Sequence, residues 1–227
     1  MIDEALKFKN KEHFCSEDLL EILTLLRRPD GCPWDREQTH QSVRRGIIEE
    51  AYEAAEAIDR KDPAMMSEEF GDLLMQVYFH AVIGEEEGEF TLQDLYDRVC
   101  KKLIFRHPHI FADAPDAYSS TEEGWLAIKR AEKGQKTVHE ELEGVAKTLP
   151  ALTRGEKFAG RLYPKEDADP LFENLEIGVK KLKKAPTQEQ LGEILFLLCR
   201  IAKAKKIDPE EALWRKIEEI FGQNAQY

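Results

Sequence analysis

EEFGDLLMQVYFHAVI, residues 68–83, decides the fold, because it reads as a single helix that is apolar around most of its circumference and carries one narrow polar stripe. At about 100° per residue, Glu69, Asp72, Gln76 and His80 fall within an arc of roughly 80°, while Phe70, Leu73, Leu74, Val77 and Ala81 cover the opposite face. A helix with so wide an apolar surface is expected to be buried among other helices. Two carboxylates near a core are costly unless a cation compensates them. The stripe therefore points to a metal site.

Working outward, strand signals are almost absent: no alternation of apolar and polar residues is sustained and β-branched residues are sparse. The pattern predicts an all-α protein. A first helix covers Glu17 to Arg28 behind Ser16 as N-cap and ends in the turn run Pro29-Asp30-Gly31-Cys32-Pro33. A long helix follows from near Gln38 to Arg60. Asp62-Pro63 opens the helix that contains residues 68–83 and runs to the Glu85–Gly88 stretch. Thr91 with Asp94 forms a capping box for the next helix, which Pro108 stops, and a further helix is expected at Thr121 to Lys133.

The chain has 227 residues and 42% hydrophobic content, enough for one large domain or two small ones. Its 33 basic and 45 acidic residues leave a net charge of −12, which argues against stable binding to nucleic acid or to an anionic membrane. The segment MIDEALKFKNKEHF lacks the apolar core of a signal peptide, and no stretch approaches the roughly 18 apolar residues of a membrane span, so a cytoplasmic location is expected. Cys15, Cys32, Cys100 and Cys199 are scattered without CxxC spacing, and neither a zinc site nor a disulfide framework is expected from them.

Gly134 to Leu149 mixes charges and small residues with little periodicity and reads as a boundary. Beyond it the chain repeats itself in degenerate form. Glu69-Phe70-Gly71-Asp72-Leu73-Leu74 matches Gln190-Leu191-Gly192-Glu193-Ile194-Leu195, Ile58 pairs with Leu182, and a capped helix follows each copy, from Thr91 in one and Asp208-Pro209 in the other. Two such hairpins can pack as a helical bundle.

Upstream of the stripe, GIIEEAYEAAEAI (46–58) places Glu49 and Glu53 at i,i+4 and Glu50 and Glu53 at i,i+3. Like charges at these spacings destabilise an isolated helix by about 0.2–0.5 kcal/mol per pair, a sign that a cation reverses. Taken alone, Glu49 and Glu53 read as a solvated face opposite the stripe of Ile47, Ala51, Ala54 and Ile58. Glu69 and Asp72 repeat the spacing on the following helix, and an antiparallel hairpin would bring the two sets together. An all-oxygen donor set suits Mg²⁺ or Mn²⁺ rather than zinc or copper. Such an ion commonly receives phosphate oxygens, and cations for a phosphate stand in Lys101-Lys102-Leu103-Ile104-Phe105-Arg106-His107-Pro108-His109 and in Lys129-Arg130. Cations also favour any helix C-terminus, and His80 and the two histidines flanking Pro108 read equally well as packing or capping residues.

At these residues the chain resembles the MazG family of nucleoside triphosphate pyrophosphohydrolases. The segments that carry the resemblance are GCPWDREQTH (31–40), EEAYE (49–53), EEFGDLL (68–74), KLIFRHPHIF (102–111) and WLAIK (125–129). The resemblance implies an all-α pair of helical hairpins, usually completed by dimerisation, and hence a homodimer. It implies Glu49, Glu50, Glu53, Glu69 and Asp72 as ligands of Mg²⁺, and Arg106 and Lys129, with Lys102, as phosphate contacts. Trp34 or Trp125 would stack on the base, or anchor the core, and Glu50 or Glu53 would act as base toward water. The implied reaction hydrolyses an NTP or dNTP to the monophosphate and pyrophosphate, as in nucleotide-pool housecleaning. On this reading residues 1–133 form the catalytic domain, 134–149 a linker, and 150–227 a degenerate repeat with a structural or oligomerisation role.

Two departures from the family pattern stand out. Where the family often has two arginines before the HPH element, this chain has Phe105-Arg106. In the second copy Gln190 and Glu193 replace Glu69 and Asp72, Glu173, Asn174 and Ile177 stand opposite Glu49, Glu50 and Glu53, and Gln223 stands opposite Arg106. The alternative function is a nucleotide-binding regulatory protein with the same fold and little turnover. A third is a relative in the same all-α superfamily acting on a dUTP-like or phosphoribosyl nucleotide.

Overall fold

The computed structural model describes residues 3–112 and 122–224, and no strand occurs among them. The chain divides into two compact units, residues 1–113 and 114–227.

In the first unit, a 3-10 turn at Asp3–Phe8 precedes α1 (Ser16–Arg27), the short α2 (Pro33–Glu37), α3 (His40–Arg60), α4 (Pro63–Glu86), α5 (Leu92–Arg106) and the short α6 (Pro108–Phe111). Most of these boundaries are set by local chemistry. Thr39 and Thr91 each accept a hydrogen bond from the backbone N–H three residues on, and Ser42 and Asp94 return the bond to the cap residue's own N–H. Asp62 accepts from the N–H groups of Ala64 and Met65, and Pro63 occupies the first turn of α4. Lys61, in the left-handed region at φ 54°, turns the chain between α3 and α4. At α1 the cap is Cys15 rather than the expected Ser16, because the Asp18 carboxylate accepts from both the Cys15 N–H and its thiol. Pro108 ends α5 as expected and then opens α6 as its first residue.

α3 and α4 form the central antiparallel hairpin, and α1 and α5 pack on α4. The core lies at one end of that hairpin: Tyr78, Phe79, Ala81, Val82 and Ile83 of α4 are buried with Leu23 and Leu92, and Leu19, Leu20, Val43 and Leu95 close around them. Arg27 is also buried. It donates to Glu86 and to the carbonyls of Asp35 and Gln38, tying α1 to the end of α4 and to the chain just past α2. Burial along the whole of α4, expected from its composition, holds only for this second half. Phe70 and Leu74 are 47% and 48% exposed, since no helix of the unit covers their face.

The second unit contains α7 (Glu122–Lys133), α8 (Val138–Glu143), α9 (Ala151–Leu162), α10 (Asp169–Lys184), α11 (Gln188–Lys205) and α12 (Pro209–Asn224). α11 packs against both α9 and α10. Two expectations are corrected here. Residues 134–149 are not a linker between units: they contain α8, capped by Thr137 and packed on α9. The helix expected at Thr121–Lys133 falls in the second unit rather than the first, and its Arg130 pairs with Glu141 at 2.8 Å. Thr121 itself lies outside the described residues.

Candidate active site

Close approach of α3 and α4 sets the register of the hairpin. A Cβ added at Gly46 would stand 2.6 Å from the Gln76 side-chain amide, so glycine lets that amide lie directly against α3 here. Four residues further along each helix, in opposite directions, stand Glu50 and Asp72, and seven residues further stand Glu53 and Glu69. The acids of the two sequence motifs therefore meet.

Glu50, Glu69 and Asp72 each offer a carboxylate oxygen within 4.8 Å of the others. The Glu50 carboxyl is pushed above the usual carboxylate range, first by burial and then by the charges of Asp72, Glu53 and Glu69. Burial, followed by Glu53, Glu68, Asp72 and Glu56, pushes Glu69 the same way. Carboxylates that are partly desolvated and face one another favour anything that adds positive charge between them. The donors are all oxygen and none is a histidine or thiol, so the residues present fit a hard divalent ion such as Mg²⁺ or Mn²⁺.

The other residues of interest stand as follows. The charge of Glu53 acts on both Glu50 and Glu69, from the edge of the three closest acids. Glu49 points elsewhere, to Arg45 at 2.6 Å, in an exposed pair. Lys102 is exposed and Arg106 half-buried, one turn apart near the end of α5. Phe105, in the place of the second arginine, is 51% exposed. Trp34 is 64% exposed on α2 and therefore no core anchor. Trp125 and Lys129 lie on α7 in the second unit, with the Lys129 ammonium 5.0 Å from the centre of the Trp125 ring. His107 caps α6 and its Nδ1 meets the Leu103 carbonyl at 2.7 Å, which makes it a structural turn residue.

His80 is the member of the stripe that the acids do not claim. Its Nδ1 lies 2.6 Å from Nδ1 of His40, at the start of α3. Sequence reading missed this pair, and it missed Arg27, because the partners stand 40 and 59 residues apart. Only the hairpin register could have indicated the first.

In the second unit, Asn174, Ile177, Gln190 and Glu193 line a cleft of about 340 Å³ between α10 and α11, together with Lys181 and Arg200. Arg200 is held by Glu166. Among the described residues, the clusters able to hold a metal all lie in the first unit.

Comparison with known proteins bears on this arrangement. The MazG nucleotide pyrophosphohydrolase domain model matches residues 38–111, from the turn before α3 through α6. The nucleoside triphosphate pyrophosphohydrolase/pyrophosphatase MazG of Thermotoga maritima is 40% identical over 215 residues, which cover 90% of this chain and 83% of that protein. The nucleoside triphosphate pyrophosphohydrolase of Escherichia coli K12 is 36% identical over 221 residues, 89% of this chain and 82% of that one. YabN of Bacillus subtilis is 41% identical over 205 residues, but these make up only 42% of its length.

Proposed function

We propose that this chain, which belongs to the MazG family of nucleotide pyrophosphohydrolases, hydrolyses nucleoside triphosphates, NTP or dNTP, to the monophosphate and pyrophosphate at the acidic face of its α3–α4 hairpin. The observation that carries this reading is the convergence of Glu50, Glu69 and Asp72 from two helices.

In this proposal Glu50, Glu69 and Asp72 hold Mg²⁺, with Mn²⁺ as a substitute. Glu49 joins them by leaving Arg45, at a cost of about 1 kcal/mol or less for an exposed pair. When bound, the ion supplies neutralisation of phosphate charge and a lowered pKa for water. Glu53, beside the three closest acids, takes the proton as the water oxygen bonds to the α-phosphorus. The bridging α–β phosphoanhydride bond breaks and pyrophosphate leaves. Arg106 and Lys102 serve the phosphates, and Trp34, already exposed, stacks on the base. The second unit is a non-catalytic half, a reading supported by its α10–α11 cleft, where Asn174, Ile177 and Gln190 leave Glu193 as the acid in the lining. The exposed apolar residues Tyr52, Phe70 and Leu74 support assembly as a homodimer. We further propose a cytoplasmic role in clearing unwanted nucleotides.

The test is incubation of the pure protein with each NTP and dNTP, in Mg²⁺ or in EDTA, resolving monophosphate plus pyrophosphate from diphosphate plus phosphate. Magnesium-dependent α–β cleavage, lost in Glu50→Gln and Asp72→Asn with the fold intact, is the expected result. Nucleotide binding without turnover would replace it with the regulatory reading, and a second Mg²⁺ site within 150–227 would overturn the assignment of the second unit.

A further inference from the structure

At the far end of the hairpin from the acids, His40 opens α3 and meets the turn between α4 and α5. Its Nε2 is shielded from solvent and has no hydrogen-bond partner, yet it faces Glu87 Oε2 at 3.9 Å and Glu89 Oε2 at 3.6 Å. On the other side of the ring, Nδ1 is 2.6 Å from Nδ1 of His80, with the ring planes only 4° apart, and Phe90 packs over His40 at 5.7 Å. One proton must lie between the two Nδ1 atoms. If His40 donates it, the Nε2 lone pair points at two carboxylates. If His80 donates it, Nε2 carries a hydrogen that falls short of both. Neither neutral form gives Nε2 a hydrogen bond, and positive charge between the ring and the two acids, carried by a proton on Nε2 or by a metal ion, satisfies all three groups.

We propose that His40 Nε2, Glu87 and Glu89 form a binding site for a transition-metal ion of the Zn²⁺ type, separate from the all-oxygen site of Glu50, Glu69 and Asp72. The three ligand atoms already lie within 4.8 Å of one another. A tetrahedral ion with bonds of about 2.0–2.2 Å holds its ligands about 3.3–3.6 Å apart, so the exposed carboxylates need to close in by about 1 Å or less. A mixed imidazole and carboxylate donor set selects such an ion over Mg²⁺. His80 plays the positioning part: its ring, stacked on His40, fixes the orientation of His40 through the Nδ1 contact at 2.6 Å. Glu87 is the residue that ends α4, where the helix dipole favours a cation. The fourth position opens to solvent, since Glu87 and Glu89 are about half exposed. An ion here would fasten the start of α3 to the α4–α5 turn.

The test uses the full chain, stripped with EDTA and then dialysed, titrated with Zn²⁺ and with Co²⁺ as a visible probe. With excess Mg²⁺ present to fill the acidic site, one equivalent of Co²⁺ should bind with the absorption of a low-coordinate nitrogen and oxygen site and be displaced by Zn²⁺, with a rise in the melting temperature. His80→Gln should weaken Zn²⁺ by about 10–100-fold, and His40→Gln and Glu89→Gln by more. Glu89 is exposed and its variant folds even if the histidine variant does not. Glu50→Gln should leave the Co²⁺ spectrum unchanged. The proposal is overturned if no stoichiometric Co²⁺ binds. It is equally overturned if binding survives Glu89→Gln, or if it is lost in Glu50→Gln and so belongs to the acidic site.

Discussion

Replacing Glu50 by Gln should raise the stability of the metal-free protein and lower that of the metal-bound one. Glu50 shares a space of 4.8 Å with Glu69 and Asp72. Two unit charges at that separation repel by about 0.9 kcal/mol in water and about 3.5 kcal/mol at an effective dielectric constant of 20. Glu50 is half exposed, so the lower figure governs, and solvent and salt screen it further. Removing its charge without changing its shape therefore stabilises the metal-free first unit by about 1 kcal/mol, or about 4 °C in melting temperature for a unit of this size. Mg²⁺ at a hundred times its dissociation constant stabilises the wild type by about 2.7 kcal/mol, about 10 °C on the same scale. The variant lacks one ligand and should gain little. Thermal melts of both proteins in EDTA and in excess Mg²⁺ should cross: the variant melts above the wild type without metal and below it with metal. A variant that melts lower in EDTA, or that gains as much from Mg²⁺ as the wild type, refutes the repulsive-cluster account of the site.

Three further substitutions probe the frame around the site. In Gly84→Ala the new Cβ would stand 2.7–2.9 Å from three carbons of the Phe90 ring, so urea denaturation should show a loss of about 1–3 kcal/mol despite the better helix former. Arg27→Met leaves the carbonyls of Asp35 and Gln38 without their donor, while the freed Glu86 is 43% exposed and can be solvated. The loss should be about 1–3 kcal/mol, and because the α2 segment that bears Trp34 loosens, KM for the triphosphate should rise more than kcat falls. Asp18 is held at about 2, below its ordinary 3.8, first by Lys11 and then by the Cys15 cap. A depressed pKa contributes stability that is complete above about pH 4 and lost as pH falls toward about 2, so Asp18→Asn should flatten the acid limb of an unfolding-versus-pH profile.

What the sequence disclosed follows the range of the interactions concerned. Asp62, Thr91 and Asp94 act within three residues, and their caps stand where the sequence places them. The acids were visible because i,i+3 spacing on two successive helices is a local pattern that one hairpin turn brings together. His40 carried no such pattern: its partner is 40 residues away, and only the register set by Gly46 against Gln76 relates the two. The composition of α4 misled in another way, because an apolar face states that something must cover it and not which surface does so. Phe70 and Leu74 stay about half exposed while Tyr78, Phe79 and Ala81 to Gly84 are buried. Residues 134–149 looked featureless because α8 is too short, at six residues, to show a period.

The same division between local signals and site chemistry accounts for the second unit. Its hairpin is held by the Thr187 cap, which accepts from the backbone N–H of Gln190 and not from its side chain, by the close approach of Gly178 to Ile194, and by α9 packed against α11. The cleft between α10 and α11 is lined by the neutral Gln190 and Asn174 and by Glu193 with Lys181 and Arg200, a mixed set of charges unlike the like-charged cluster of Glu50 and Glu69 in the first unit. The cluster of Glu50, Glu69 and Asp72 in α3 and α4, by contrast, concentrates one sign of charge, and that repulsion is what a bound cation would relieve.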